Sequence, residues 1–558
     1  MADVSQNPLI VQSDRTLLLT VDSAFYETAR DALASFAELQ KSPEHIHTYR
    51  LTPLSLWNAA AAGHSADEVV EALTRFSRYE VPQNIVAEVR DYISRYGLLK
   101  LVKRDDKLVL TSERSELIAE IWLHRSVRPH LLAQIDDNSI EVSAALRGHV
   151  KQALIKIGFP VEDLAGYVAG EDLAIALRET TLDELPFELR QYQTEASEIF
   201  HAGGSERGGS GVICLPCGAG KTVVGMCAMA KLQKHTIILC TNITAVRQWI
   251  REILDKTTLT EDEIGEYTGA MKELRPVTVT TYQILTYRKT KGGDFPHFEI
   301  FNAMNWGLII YDEVHLLPAP VFRMTAEIQA RRRLGLTATL IREDGREDDV
   351  FSLIGPKKYD VPWKTLERQG WIATAQCTEL RTDMSQELRL EYALSPIRTK
   401  IRLAAENPAK LDIVRRLVER HHGDRVLIIG QYLSQLHEIS DRLGAPIITG
   451  KTRNAERERL FGAFRTGELP LLIVSKVGNF AIDLPDANVA IQVSGTFGSR
   501  QEEAQRLGRI LRPKSTGSTA QFYSIVTRDT RDQDFAANRS LFLTEQGYAY
   551  EILNADEV

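Results

Sequence analysis

The sequence holds only five cysteines in 558 residues, too few to staple a chain of this length with disulfides. A reducing cytoplasm is the expected setting. No apolar run approaches the roughly 20 residues needed to cross a bilayer, so no membrane partner is expected. The opening stretch, MADVSQNPLIVQSDRT, has neither the basic start nor the apolar core of a secretory signal. An excess of positive charge is absent too. The formal net charge of −8 argues against a permanently bound nucleic-acid coat protein. Contact with nucleic acid stays open, because affinity follows local Lys/Arg clusters. Such clusters stand at YRKTKGG (287–293), ARRRLG (330–335) and RLGRILRPK (506–514), each alone expected to be a solvated face. There is no short-period repeat, and GGSERGGSG (203–211) reads as a surface loop.

Apolar content of 44% and charge of 25% are those of a globular chain with ample core, and the length suggests about three or four domains. Ser65 to Glu68 is a capping box, after which Val69, Val70, Leu73 and Phe76 share one helical face. A second helix is expected from about Pro82 to Gly97, burying Ile85, Val89, Tyr92 and Ile93. The hairpin-like LLKLVKRDDKLVL follows, turning at Asp105-Asp106. Helix, turn, helix, hairpin is the order of a winged-helix module, so a mainly helical N-terminal region with such a module is expected over 1–135. A small connecting unit, more weakly marked, is expected over 136–182.

From about residue 185 short apolar runs alternate with helical stretches: GVICLP, TIILCT, VTVTTY, GLIIYDE and RLGLTAT. The pattern restarts with RVLIIG, PIITG, LLIVS and VAIQVS. Runs apolar on both faces signal buried parallel strands with crossover helices. The fold class is therefore α/β, with two parallel-sheet lobes expected over 183–360 and 361–558. Ligands of such sheets bind at the carboxyl ends of the strands.

CLPCGAGKT, Cys214 to Thr222, stands at one such end. Cys214 and Cys217 could suggest metal, but no second C-x-x-C and no H-x(3–5)-H completes a site, so both are expected to be packing and spacer residues. The phosphate reading is stronger. Gly218 and Gly220 let amides turn toward an anion, Lys221 supplies charge to the β- and γ-phosphates, and Thr222 offers a hydroxyl to Mg²⁺. Leu215 occupies the place of the usual first glycine. In WGLIIYDEVH, Asp312 can hold Mg²⁺ and Glu313 can orient or deprotonate a water. Gln505, Arg509 and Arg512 of QRLGRILR share a helical face and are candidates for arginine fingers from the second lobe.

Taken in order, LRQYQ, CLPCGAGKT, TNITAVRQW, TTYQ, DEVH, GLTATLIRED, SKVGNFAIDLPDANVAIQVS and GSRQEEAQRLGRILR resemble the superfamily-two helicases, and within them the XPB type (xeroderma pigmentosum group B). HTYRLTPLSLWNAAAAGHSADEVVEAL is similar to that family's N-terminal region. The resemblance implies adenine recognition near Arg190 and Gln193. It gives the triphosphate to the cradle of Leu215, Pro216, Cys217, Gly218, Ala219, Gly220, Lys221 and Thr222, with Asp483 facing the nucleotide from the second lobe. Coupling falls to His315, Thr337, Ala338 and Thr339, and strand contact to Thr241 and Thr281. Arg342, Glu343 and Asp344 would form a strand-separating wedge, whereas the second copy, Arg346 to Asp348, has no role in the family pattern. A thumb-like insertion is expected near 380–410.

Long acidic and basic tails are lacking, so a compact prokaryotic form is expected. The implied activity is an ATP-driven, Mg²⁺-dependent DNA motor of 3′ to 5′ polarity serving repair. Two alternatives stand beside it: a translocase on duplex DNA, and an ATP-dependent switch that recruits a nuclease partner.

Overall fold

In the computed structural model, residues 6–42, 45–216, 218–290, 295–328, 331–338, 345–361, 366, 368–369, 375–475, 487–495, 520–545 and 550–557 are described. Two small sheets come before two large ones. The first joins β1 (Leu9–Val11), β2 (Thr16–Thr20), β3 (Glu38–Lys41) and β4 (Ile46–Arg50) in the antiparallel order β1-β2-β4-β3. Helices α1 (Tyr26–Leu33), α2 (Pro53–Ala61), α3 (Ala66–Phe76) and α4 (Gln83–Arg95) accompany it. The Ser65 hydroxyl accepts from the Glu68 amide and the Glu68 carboxylate from the Ser65 amide, so the capping box forms. Val69, Leu73, Phe76, Ile85, Val89 and Ile93 then share one core with Leu17, Leu19, Leu39 and Tyr49.

The hairpin β5 (Leu99–Arg104) and β6 (Lys107–Thr111) turns at Asp105 and Asp106, both at positive φ. Helix α5 (Ser115–Leu123) follows. The hairpin does not fold back on α3 and α4 as a wing. It joins β7 (Leu131–Asp136), β8 (Ser139–Val142) and β9 (Val161–Leu164) in a five-stranded sheet, order β7-β8-β6-β5-β9. Its core is separate, built on Leu99, Leu101, Leu110, Ile118, Ile140, Val150 and Leu154. Two corrections follow. The winged-helix pieces lie in different cores. The expected division at 135/136 also falls inside β7.

Helix α6 (Arg147–Lys156) of this unit lies against lobe 1. A Cβ on Gly148 would stand 2.5 Å from the Ala326 carbonyl oxygen, so only glycine permits this approach. The ARRRLG run lies at the same seam, and here the expected solvated face is wrong. Arg333 is fully buried, its Nε donating to the Leu353 carbonyl at 2.7 Å. The guanidinium groups of Arg332 and Arg333 both stand 5.7 Å from the Tyr167 ring centre. The aromatic face and the carbonyl replace the water that those cations would otherwise keep.

Lobe 1 has seven parallel strands: β10 (Ser210–Cys214), β11 (Thr236–Cys240), β12 (Ile264–Tyr267), β13 (Val277–Thr281), β14 (Leu308–Asp312), β15 (Arg332–Thr337) and β16 (Lys357–Asp360). Their order is β12-β13-β11-β14-β15-β10-β16. Its crossings include α7 (Gln191–His201) ahead of the sheet, then α8 (Lys221–Leu232), α9 (Ile243–Lys256) and the short α10 (Tyr282–Leu285). Lobe 2 repeats the plan with β17 (Ala375–Thr382), β18 (Val426–Gly430), β19 (Ile447–Ile448), β20 (Leu471–Ser475), β21 (Val489–Gln492), β22 (Ala520–Thr527) and β23 (Tyr550–Asn554). The order is β19-β20-β18-β21-β22-β17-β23, again all parallel. After β17, residues 386–394 and 397–405 form two packed helices in the region expected to hold an insertion. Among the described residues, no helix is long and apolar enough to cross a membrane.

Candidate active site

The carboxyl ends of β10, β14 and β15 meet at one point of lobe 1. Cys214 ends β10, and Leu215 and Pro216 continue as buried residues, the Leu215 amide donating to the Thr337 carbonyl at 2.9 Å. Gly218 and Gly220 have φ of 83° and 81°, the left-handed region a side chain would resist. A Cβ on Gly220 would also stand 2.5 Å from Gln193 Nε2. Helix α8 starts at Lys221, with Thr222 next, so its free amides and positive end face the cradle.

Helix α7 braces the cradle from behind. The Tyr192 hydroxyl and Gln193 Nε2 both donate to the Ala219 carbonyl, at 2.8 and 3.0 Å. Arg190 Nη1 donates to the Tyr192 hydroxyl at 2.9 Å, and the Arg190 amide to Gln193 Oε1 at 3.0 Å. Arg190 and Gln193 are thus brought to the cradle, but through its backbone.

Opposite stands the β14 end. Lys221 Nζ lies 3.4 Å from Glu313 Oε1, and His315 Nδ1 lies 3.5 Å from Glu313 Oε2. The same His315 nitrogen is 2.6 Å from the Thr337 hydroxyl, which links Glu313 to the last residue of β15. Glu313 has φ 50° and ψ 55°, a left-handed conformation that costs a non-glycine residue about 1–2 kcal/mol. That conformation re-aims the chain at once after the strand.

The two carboxyls are driven apart in acidity. Burial, and then the neighbouring Glu313 charge, raise Asp312 to about 6 against the pull of its Trp249 hydrogen bond. Burial also works to raise Glu313, but Lys221 and then His315 outweigh it and hold Glu313 below the ordinary range. Such splitting is how one site keeps one carboxylate ionised beside another that resists charging.

The donor set suits Mg²⁺. The Asp312 carboxylate and the Thr222 hydroxyl would offer oxygen donors of the kind that Mg²⁺ takes, with substrate phosphates and water supplying the rest. Among the described residues, no group of three or more His, Cys, Asp or Glu side chains could hold a metal. Burial pushes the Cys214 thiol far up, so it stays protonated and inert, as the packing reading expected.

Thr241 directly follows β11 and Thr281 ends β13, at the same end of the sheet. Asn242 Nδ2 donates to the Thr241 hydroxyl at 3.2 Å. Thr281 is only 4% exposed and its hydroxyl accepts from the Ile284 amide at 3.2 Å, so it caps α10 instead of facing solvent. Gln283 is the exposed residue of that segment. Ala338 is buried beside Thr337. Cys217, Thr339, Arg342, Glu343, Asp344, Asp483, Gln505, Arg509 and Arg512 lie outside the described residues. Three contributors escaped the motif reading: Tyr192, Trp249 and Tyr282, each a buried ring whose polar end bonds the site. Their positions inside LRQYQ, TNITAVRQW and TTYQ were the available signal.

Residues 366–557 match the ERCC3/RAD25/XPB C-terminal helicase family, residues 9–136 a helicase conserved C-terminal domain, and residues 186–342 the type III restriction enzyme res subunit family. A Mycobacterium tuberculosis protein called DNA 3′-5′ helicase XPB is 55% identical, over 100% of this chain and 99% of its own length. The Kineococcus radiotolerans protein of the same name is 56% identical, over 100% and 98%. The Enterocytozoon bieneusi "General transcription and DNA repair factor IIH helicase/translocase subunit XPB" is 34% identical, over 98% and 92%.

Proposed function

The chain belongs to the XPB family of helicases, and from that premise we propose that it is an ATP-hydrolysing DNA helicase of 3′ to 5′ polarity, fired from the β10–β14–β15 strand ends. The observation that carries the reading is the approach of Lys221 and Glu313 to 3.4 Å beside Asp312. Lys221, the first residue of α8, sits within reach of Glu313. A triphosphate in the cradle offers Lys221 stronger anions, drawing it off and leaving Glu313 ionised to hold or deprotonate the attacking water. Asp312 and Thr222 would hold Mg²⁺, which when bound neutralises phosphate charge. His315, placed between Glu313 and Thr337, reports the change at Glu313 to the strand that leads on toward residues 342–344.

Arg509 and Arg512, with Gln505, are proposed to close on the γ-phosphate from lobe 2, and Asp483 to face the nucleotide. Arg342, Glu343 and Asp344 are proposed as the wedge between strands. DNA repair is the proposed setting, because relatives carry it in their names.

Turnover measured side by side with single-stranded DNA, duplex DNA and RNA tests the substrate class. Stimulation by DNA is expected, and stimulation by RNA alone would contradict it. The name "helicase/translocase" on a relative also favours testing duplex tracking. Unwinding of a tailed duplex, run beside triplex displacement, separates the two: displacement without unwinding would select the translocase.

A further inference from the structure

Two aromatic side chains hold Asp312 from different sides. Trp249 Nε1 donates to the carboxylate oxygen Oδ2 at 3.0 Å, and the Tyr282 hydroxyl donates to the backbone carbonyl of the same residue at 2.9 Å. Both rings are buried, at 2% and 4% exposure. At Tyr282 a phenyl ring alone would fill the same space. The polar ends are what single out Asp312.

Each ring stands on one of the segments at the sheet's strand-facing edge. Asn242 caps α9, its side chain accepting from the Ala245 amide at 2.9 Å, and the same helix carries Trp249 two turns further on, about 10 Å along the axis. Tyr282 directly follows Thr281, the cap of α10. The Trp249 ring has no slack on its far side. A Cβ on Gly225 would stand 2.5 Å from Trp249 Cη2, so the ring lies flush on α8, the helix that opens with Lys221. A shift of α9 must therefore move the Asp312 carboxylate or press on the phosphate helix.

We infer that Trp249 and Tyr282 are positioning residues that pass occupancy of the strand seat at 241–242 and 280–283 to Asp312, so that a bound DNA strand raises the rate of hydrolysis. The inference rests on the proposed reading of Asp312 as the metal-side carboxylate and of these segments as the seat of the strand. The two inputs differ in kind. Trp249 sets the direction of one carboxylate oxygen, whereas Tyr282 fixes the end of β14 from which the side chain projects. Loss of the Trp249 donor should do more, because a hydrogen bond to an ionised group is worth more than one to a neutral carbonyl.

The test uses the full chain and three variants, Trp249→Phe, Tyr282→Phe and Asp312→Asn. The ratio of turnover with and without single-stranded DNA is expected to fall about fivefold or more in Trp249→Phe and about threefold in Tyr282→Phe. The ATP KM without DNA should stay near the parent's, as should the thermal midpoint of Tyr282→Phe, whereas Trp249→Phe leaves a small cavity and lowers its midpoint somewhat. A second readout needs no turnover: the factor by which ADP changes affinity for a dye-labelled oligonucleotide, read by fluorescence anisotropy, should move toward one in both variants. If DNA-free and DNA-stimulated rates fall by the same factor, or if both the ratio and the ADP effect stay at parental values, the coupling role is overturned. Asp312→Asn separates that failure from failure of the site. Parental turnover in Asp312→Asn would remove the reading of the site itself, whereas an inactive Asp312→Asn beside unchanged phenylalanine variants would remove only the coupling.

Discussion

Two buried charge clusters in this molecule are built to opposite ends. At the seam between the five-stranded unit and lobe 1, Asp163 takes Arg147 Nη2 at 2.6 Å, Arg147 Nε at 3.0 Å and Lys151 Nζ at 2.8 Å. Arg147 Nη1 also donates to the Gly166 carbonyl at 3.0 Å. At the strand ends of lobe 1, Lys221, Glu313 and His315 approach no closer than 3.4 Å. The seam cluster is short, bidentate and closed. The site cluster is looser, with Lys221 3.4 Å and His315 3.5 Å from Glu313. Both are buried, so burial does not separate structural from functional ions. The contacts differ in kind: the seam carboxylate is held by several short charge-assisted hydrogen bonds, whereas Glu313 meets Lys221 and His315 at longer range.

Breaking each cluster should therefore give different losses. The largest falls on turnover. Lys221→Ala removes the charged side chain of the cradle, and kcat should drop at least about 10²-fold, with the thermal midpoint and DNA affinity near the parent's. A loss of stability equal to that of a seam variant would erase the contrast. The next largest falls on folding. Asp163→Ala leaves Arg147 and Lys151 buried without their carboxylate, and urea unfolding should show a destabilisation of about 3–5 kcal/mol. ATP turnover per folded molecule should hold within about twofold; a tenfold loss at full folding would show that the seam takes part in catalysis.

The seam also sets a pH dependence. Burial, with Arg333 and Arg147 adding to it and Asp163 opposing, pushes Lys151 down from 10.5 to about 7. The unfolded chain then binds a proton that the folded chain has released, so stability rises with pH between about 7 and 10, by up to about 1 kcal/mol per unit. Lys151→Met should flatten that rise, and an unchanged slope would assign it to other groups. Asp163 acts at the other end. Lys151 and Arg147 hold its carboxyl well below 3.8 against the cost of burial, so its stabilisation is present above that value and lost as pH falls further. The smallest effect belongs to an exposed pair. Arg90 Nη2 meets Asp67 Oδ1 at 3.0 Å in the open, and Arg90→Ala should change stability by no more than about 0.5 kcal/mol.

The same contrast explains what could be read from residues alone. β10, β11, β13, β14 and β15 are legible because each is buried on both faces and stands between polar or small residues. The carboxyl-end rule then finds Lys221, Asp312 and Glu313. The winged helix failed because a hairpin's partner is chosen at long range: β9, which pairs with β5 across some sixty residues, leaves no local mark at 99–111. Arg333 failed because three successive arginines look solvated until a distant ring, Tyr167, is seen beneath them. Trp249 and Tyr282 stand inside their motifs with no role legible from residues alone, since an aromatic among apolar neighbours reads as core. Only the direction of one N–H and one O–H says otherwise.

Glu313→Gln offers the most direct measurement of the account, in a single-turnover ATP hydrolysis assay with single-stranded DNA present. The amide keeps the size of the side chain and loses the charge that the site geometry keeps ready for water. ATP binding should survive, and the chemical step should slow by about 10²-fold or more. A hydrolysis rate within twofold of the parent would contradict the assignment of the chemistry to these strand ends.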